Sequence, residues 1–198
     1  MIDALVRKKL GAFSLNAVVT GSGFICFAGR NGSGKTTTMK AIAGLDSLGD
    51  GYVKVDGQDV SPLPAERRGI VMVTPSSAIA HLDVDSHIMW GARLGRGKPS
   101  KDRLQQVKSR LGIDYDGRVG RLSLGMKERV ILATALLSHS RIVLVDEAFS
   151  NLHEREEFMG AYRDLAKAYG VDVVFSSQVE SDGRLADQLI VIENGSTR

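Results

Sequence analysis

The segment Gly29-Arg30-Asn31-Gly32-Ser33-Gly34-Lys35-Thr36 constrains this 198-residue chain more than any other stretch. It fits G-x-x-x-x-G-K-[ST], and its surroundings are those the pattern requires. The apolar run Phe24 to Ala28 precedes it. After it, Met39, Ile42 and Ala43 form an apolar stripe between Thr36 and Gly44, and Gly44 is placed to stop a helix. Strand, glycine-rich loop and helix in this order make a cradle for phosphate. Successive backbone N–H groups wrap the oxyanion, the helix N-terminus adds partial positive charge, and glycine lets the backbone come close. Lys35 adds a point charge and Thr36 a hydroxyl for Mg²⁺. Gly29, Arg30, Asn31, Gly32, Ser33, Gly34, Lys35, Thr36 and Thr37 are the expected nucleotide-binding residues.

Strands and helices alternate along the rest of the chain. Tyr52 to Val55 and Ile70 to Val73 read as strands, the first followed by the turn Asp56-Gly57 and the second stopping before Pro75. Leu104, Val107 and Leu111 define a helix ending at Gly112, within a polar region from Arg93 to Arg121. From Ser123 a helix carries Val130, Ala133 and Leu137. Ile142 to Val145 is a continuous apolar run of the kind found in buried parallel strands. A helix is expected from Asn151 to Gly170, and strands at Val171 to Phe175 and Leu189 to Ile192. Such alternation implies an α/β core.

The strand Ile142 to Val145 delivers Asp146 and Glu147 at its C-terminal end, where open α/β sheets bind ligands. With the phosphate loop, this is a Walker B strand. Asp146 joins Thr36 as an expected Mg²⁺ residue, and Glu147 is the expected catalytic base on an attacking water.

Composition excludes several other classes. Lys plus Arg is 26 against 23 for Asp plus Glu, and a net charge of +3 does not favour a nucleic-acid groove. The single cysteine, Cys26, rules out an intrachain disulfide and a Cys-rich metal site. No apolar stretch approaches the roughly 18 residues of a membrane span, and Met1-Ile2-Asp3 does not begin a signal peptide. An intracellular protein is expected, with any membrane role exercised through a partner chain.

Leu122-Ser123-Leu124-Gly125-Met126 stands directly before the helix that leads into the Walker B strand, and here the chain resembles the ATP-binding cassette (ABC) ATPase family, whose signature is LSGGQ. Ser123 and Gly125 match, and Arg129-Val130 and Ala133 continue the likeness. Gly51-Tyr52-Val53, Gly57-Gln58-Asp59, Pro64 to Arg68, and Leu82-Asp83-Val84 with Ile88 and Gly91 resemble the importer branch serving sugars and oxyanions. The resemblance implies a P-loop α/β core with an antiparallel β portion and a short helical subdomain over about 91–125, within one domain spanning 1–198 and without the family's C-terminal regulatory domain. It implies ATP and Mg²⁺ as ligands, Phe13 as the residue stacking on adenine (with Leu10 as the alternative), and Ser123 and Gly125 as contacts to the γ-phosphate held by an opposite subunit.

By the same resemblance, the function is that of the ATP-binding subunit of an ABC-type transporter, at the inner face of the cell membrane. Its partners are membrane-spanning subunits and a second ATP-binding subunit, identical or not; no nucleic acid is expected. The alternatives are a soluble P-loop kinase and a non-transport ABC ATPase of DNA maintenance. Four motifs depart from the family. Leu124 and Met126 break the signature, Thr74 or Pro75 stands at the Q-loop glutamine, His153 at the D-loop aspartate, and Ser177 at the switch histidine with Gln178 beside it. Weak hydrolysis by the chain alone is the expectation.

Overall fold

Residues 2–21 form a hairpin of β1 (Ile2–Leu10) and β2 (Phe13–Gly21), in register from Ile2 opposite Gly21 to Leu10 opposite Phe13. Ile2, Ala4 and Val6 on one strand and Leu15, Ala17 and Val19 on the other are buried, while the residues between them are more open to solvent. This two-residue period puts one face on the core. The computed structural model describes residues 1–94, 100–178 and 180–198. Within the helical stretch expected over about 91–125, residues 95–99 therefore lie outside the described residues.

The remaining elements follow in order: β3 (Phe24–Ala28), α1 (Lys35–Ala43), β4 (Tyr52–Val55), β5 (Gln58–Asp59), β6 (Ile70–Val73), α2 (Val84–Leu94), α3 (Lys101–Arg110), α4 (Leu124–Leu136), β7 (Ile142–Val145), α5 (Arg155–Tyr169), β8 (Asp172–Ser177), β9 (Gln188–Glu193) and β10 (Ser196–Thr197). The strands lie in the order β5-β4-β1-β2-β10-β9-β3-β8-β7-β6. From β9 to β6 all pairings are parallel, and β10 joins this parallel half to the antiparallel half around β1 and β2.

Both faces of β3, β7 and β8 at the centre of the parallel half are buried, and alternate residues serve different layers. Phe24, Cys26 and Ala28 of β3, with Val143 and Val145 of β7, pack with α2, α4 and α5. Ile25 and Phe27, with Ile142 and Leu144, face α1 and the antiparallel strands. The continuous apolar runs follow from this two-sided burial.

Arg68 fastens the end of α1 to the rest. Its guanidinium donates to the carbonyls of Ala41 and Ile42 at 3.1 Å each, of Leu63 at 3.0 Å and of Ser61 at 3.0 Å. The cation thus occupies the negative end of the helix dipole and satisfies carbonyls left open by the last turn. Among the described residues, no helix is long and apolar enough to cross a membrane.

Several boundaries differ from the sequence-based expectation. The helix expected from Asn151 begins at Arg155, and residues before it form a turn that ends with Glu154 at φ 52°. A left-handed residue cannot continue a helix inward, so the first turn starts after it. The strand expected to end at Phe175 runs on to Ser177, and α2 adds a helix from Val84 that the periodicity did not delimit.

Candidate functional site

The parallel strands end on one edge of the sheet, and the loops there bring the expected residues together. Gly29 follows β3, and its backbone runs so close to β9 that a side chain there would place its Cβ 2.2 Å from the Ile192 carbonyl oxygen. Gly34 takes φ 112° immediately before α1. Each position therefore requires glycine for a different reason. The Gly195 amide donates to the Ser33 carbonyl at 3.0 Å, so the turn after β9 braces the loop.

Lys35 is buried at the start of α1, and its ammonium donates to the carbonyls of Gly29 at 2.6 Å and Arg30 at 3.0 Å. Burial pulls its pKa down, against the pull of Asp146 and Glu147 in the opposite direction. The Ser33 hydroxyl is buried with no hydrogen-bond partner among the described residues. An orphaned donor of this kind is uncommon in a native protein and marks a place built for an acceptor that arrives later. Thr36 and Thr37 are half-buried in the first turn of α1. Phe13 is also half-buried, with its ring tip 3.5 Å from where a Cβ of Gly34 would lie. Its partner in the hairpin register is Leu10, which is exposed, so the phenylalanine is the aromatic that borders the loop.

Asp146 and Glu147 are set by a residue that sequence reasoning did not select. The Ser176 hydroxyl, at the end of β8, donates to the Asp146 carboxylate at 2.9 Å and accepts the Glu147 amide at 2.9 Å. Asp146 is buried, whereas Glu147 is exposed with φ 60°. A bulky residue in this region carries strain of order 1 to 3 kcal/mol, a feature that concentrates at functional sites. Glu147, Lys35, Arg155, Ser177, Gln178 and Asp182 share the walls of a cavity of about 270 Å³. The chemistry these groups offer is a buried ammonium, a free carboxylate and an anion-accepting loop.

Ser123 and Gly125 are not in that cavity. They line a separate hollow of about 520 Å³ with Arg129, Asn151 and His153, and Ser150 borders both. The Ser123 hydroxyl accepts the Met126 amide at 3.3 Å as the N-cap of α4. At the Q-loop position, Thr74 caps the short turn Pro75–Ser77, its amide donating to the Ser77 hydroxyl at 3.0 Å. A family model described as ABC transporter matches residues 15–150.

The chain belongs to this family. The molybdate/tungstate import ATP-binding protein of Archaeoglobus fulgidus is 33% identical to it over 196 residues, which cover 96% of this chain and 82% of that protein. The molybdenum import ATP-binding protein of Paramagnetospirillum magneticum is 31% identical, with 98% of this chain aligned to 57% of its length. For an Fe(3+) ions import ATP-binding protein of Pectobacterium atrosepticum, the figures are 29%, 91% and 53%. The chain thus spans little more than half the length of the second and third of these curated relatives. A dimeric ATP-binding cassette in a post-hydrolysis state, bound to ADP and Pi, superposes on the whole chain with a TM-score of 0.81, 20% identity and 97% coverage of its own length. That likeness is one of fold. Membership in the ABC family sets aside the soluble kinase alternative, and the fold is the α/β P-loop core that the sequence led us to expect.

Proposed function

We propose that this chain is the ATP-binding subunit of an ABC-type importer, holding Mg-ATP on the Gly29–Thr36 loop and acting on membrane-spanning chains through closure of a dimer at the inner face of the membrane. The observation that carries the proposal is the convergence of Lys35 and Glu147 on one cavity above a loop with an unpartnered buried hydroxyl, Ser33. In this reading the loop amides and Lys35 hold the phosphates, Thr37 lies beside them, and Phe13 stacks on the base. Thr36 and Asp146 present a hydroxyl and a buried carboxylate. Both are hard oxygen donors, and Mg²⁺ takes one or two of these alongside phosphate oxygens and water. Bound there, the ion would neutralise charge on the phosphates. Glu147 takes the proton of the attacking water, held in place by the Ser176 hydroxyl on its amide.

The separation of Ser123 and Gly125 from the Lys35 cavity supports a second copy or sister subunit as the source of those contacts, with a two-fold arrangement completing both sites at once. An apolar cleft of about 340 Å³ between β6, α2 and α4 supports the membrane-chain partner, since Leu45 and Trp90 on its rim are 62% and 40% exposed. The names of the relatives favour import over DNA maintenance. The transported solute would be read by chains other than this one. Titration calorimetry with Mg-ATP tests the reading. Lys35→Ala is expected to weaken binding about tenfold or more, given ~1.5 to 3 kcal/mol for a charge-assisted hydrogen bond. Equal affinity in wild type and variant would refute it.

A further inference from the structure

The cavity that holds Lys35 and Glu147 has a second cation on its wall, contributed by a residue outside every motif of the sequence. Arg155 opens α5, and its guanidinium makes a two-pronged pair with Asp182, Nη1 to Oδ1 at 3.0 Å and Nη2 to Oδ2 at 2.6 Å. The Ser177 hydroxyl donates to the same Asp182 oxygen. Asp182 thus receives three donors, which fix both its carboxylate and the plane of the guanidinium. The Nε–H of Arg155 is buried and has no partner among the described residues. Buried N–H groups in native proteins are nearly always paired, so this unmet donor, on a residue that lines the cavity, points to a ligand acceptor.

The charges around the cavity point the same way. Lys35 and Arg155 are the cations lining it, and Glu147 and Asp182 the anions. Two cations against two anions leave the cavity without net charge, and the Lys35 ammonium rests only on the neutral Gly29 and Arg30 carbonyls, so it can turn to an entering anion. Ser177 stands where the family's histidine is expected. Arg155 therefore brings a guanidinium, held in place by Asp182, to a wall where Ser177 offers only a hydroxyl. A guanidinium is planar, always charged and shaped for phosphate oxygens.

We propose that Arg155 contacts the terminal phosphate of a bound nucleoside triphosphate, with Asp182 as the positioning residue that holds the guanidinium ready. This rests on the nucleotide-binding reading above and adds a specific consequence. Arg155 distinguishes triphosphate from diphosphate, whereas Lys35 serves both.

The test is the ratio of ATP to ADP affinity, measured by calorimetry with Mg²⁺ on the full chain, for wild type, Arg155→Ala, Arg155→Lys and Asp182→Asn. The expected result is a fall of about tenfold in the ratio for Arg155→Ala, one strong contact's worth, with ADP affinity kept. Arg155→Lys, which keeps the charge but loses the fork, should give a smaller fall, and so should Asp182→Asn. If the pair only ties α5 to residues 180–185, the variants will melt at lower temperature with an unchanged ratio, and the proposal is overturned. Should Arg155→Ala not fold, the ratio in Arg155→Lys decides: a wild-type value overturns it. Binding of both nucleotides with no loss in Lys35→Ala would instead overturn the nucleotide-site reading itself.

Discussion

Glu128, fully buried in α4, accepts two hydrogen bonds from Asn151, one from the side-chain amide at 2.8 Å and one from the backbone N–H at 3.2 Å. The pair ties the helix that begins at Ser123 to the turn that carries His153. Burial raises the Glu128 pKa, and the two bonds from Asn151 only partly oppose this. A carboxyl with a raised folded pKa stabilises the fold most when protonated. Its contribution is full below the unfolded value of about 4.3 and is lost as pH rises through the folded value.

The prediction is therefore a difference between two proteins. Glu128→Gln keeps the shape and removes the ionisation, so the stability of wild type relative to the variant should fall as pH rises above about 4.3. Urea unfolding of both proteins at several pH values measures it, and parallel curves would show that Glu128 keeps one protonation state throughout.

His87 gives the opposite slope. Its Nε2 accepts the Ile79 amide at 3.0 Å, which leaves Nδ1 to bear the proton and donate to the Thr134 hydroxyl at 2.8 Å. The Thr134 hydroxyl in turn donates to the Val130 carbonyl at 2.7 Å. Burial lowers the His87 pKa. Protonation would put a hydrogen on Nε2 facing the Ile79 N–H, so stability is full above the unfolded value of about 6.5 and falls as pH drops below it toward the folded value. His87→Gln should lack this loss as pH drops below about 6.5. Because His87 also lines the cleft under Trp90, acid should loosen that cleft first, and tryptophan fluorescence will report it.

Arg68→Ala removes a cation that serves four carbonyls at once; the Ala41 carbonyl keeps the Gly44 N–H at 3.1 Å, while those of Ile42, Leu63 and Ser61 lose their guanidinium donor. Hydrogen bonds to charged groups are worth roughly 1.5 to 3 kcal/mol each and do not add fully. A loss of about 3 kcal/mol or more in urea unfolding is expected. Arg68→Lys should recover only part of it, because one ammonium cannot reach all four acceptors.

These residues show where reading the sequence ends. The ends of β3 and β7 matched because both faces of those strands are buried and the apolar runs stop where the strands stop. The hairpin of β1 and β2 escaped because Arg7, Lys8 and Lys9 interrupt an alternation that only one buried face imposes. A signal did exist for α2. Asp83 accepts both the amide and the hydroxyl of Ser86, a capping pattern readable as Asp-x-x-Ser. Nothing comparable marks Ser176 or the pair of Arg155 and Asp182, which lie 27 positions apart and meet only once α5 and the segment after β8 are folded together. Pairing across that distance is a property of the tertiary fold and leaves no local period.

The two hollows of one chain predict association. If Ser123 and Gly125 of one subunit close over the phosphate held by another, Glu147→Gln with Mg-ATP should sediment as a dimer, and Ser123→Arg should abolish it by placing a bulky side chain in the hollow lined by Gly125 and Asn151. A chain that stays monomeric at every concentration with ATP bound would contradict the arrangement.

The final prediction concerns rate. Glu147 is exposed on the cavity wall and its amide is held by Ser176, so the base itself is in place. A positioned base contributes roughly 10² to 10⁴ in rate, but only when the attacking water and the developing charge are held as well. Removing one preorganised donor typically costs about 10² to 10³. Thr74 is engaged in its own turn with Ser77, and Ser177 donates to Asp182, so neither side chain is disposed as an amide or imidazole would be. Turnover by the chain alone should therefore fall well below the typical range of about 1 to 10³ per second. The outcome of Ser177→His separates two causes. If the missing imidazole limits the rate, turnover rises. If Arg155 already serves the terminal phosphate, the new histidine competes for Asp182, turnover does not rise, and Arg155→Ala lowers it further. Wild-type turnover within the typical range would mean that Gln178 or another cavity group already supplies the support that these positions lack.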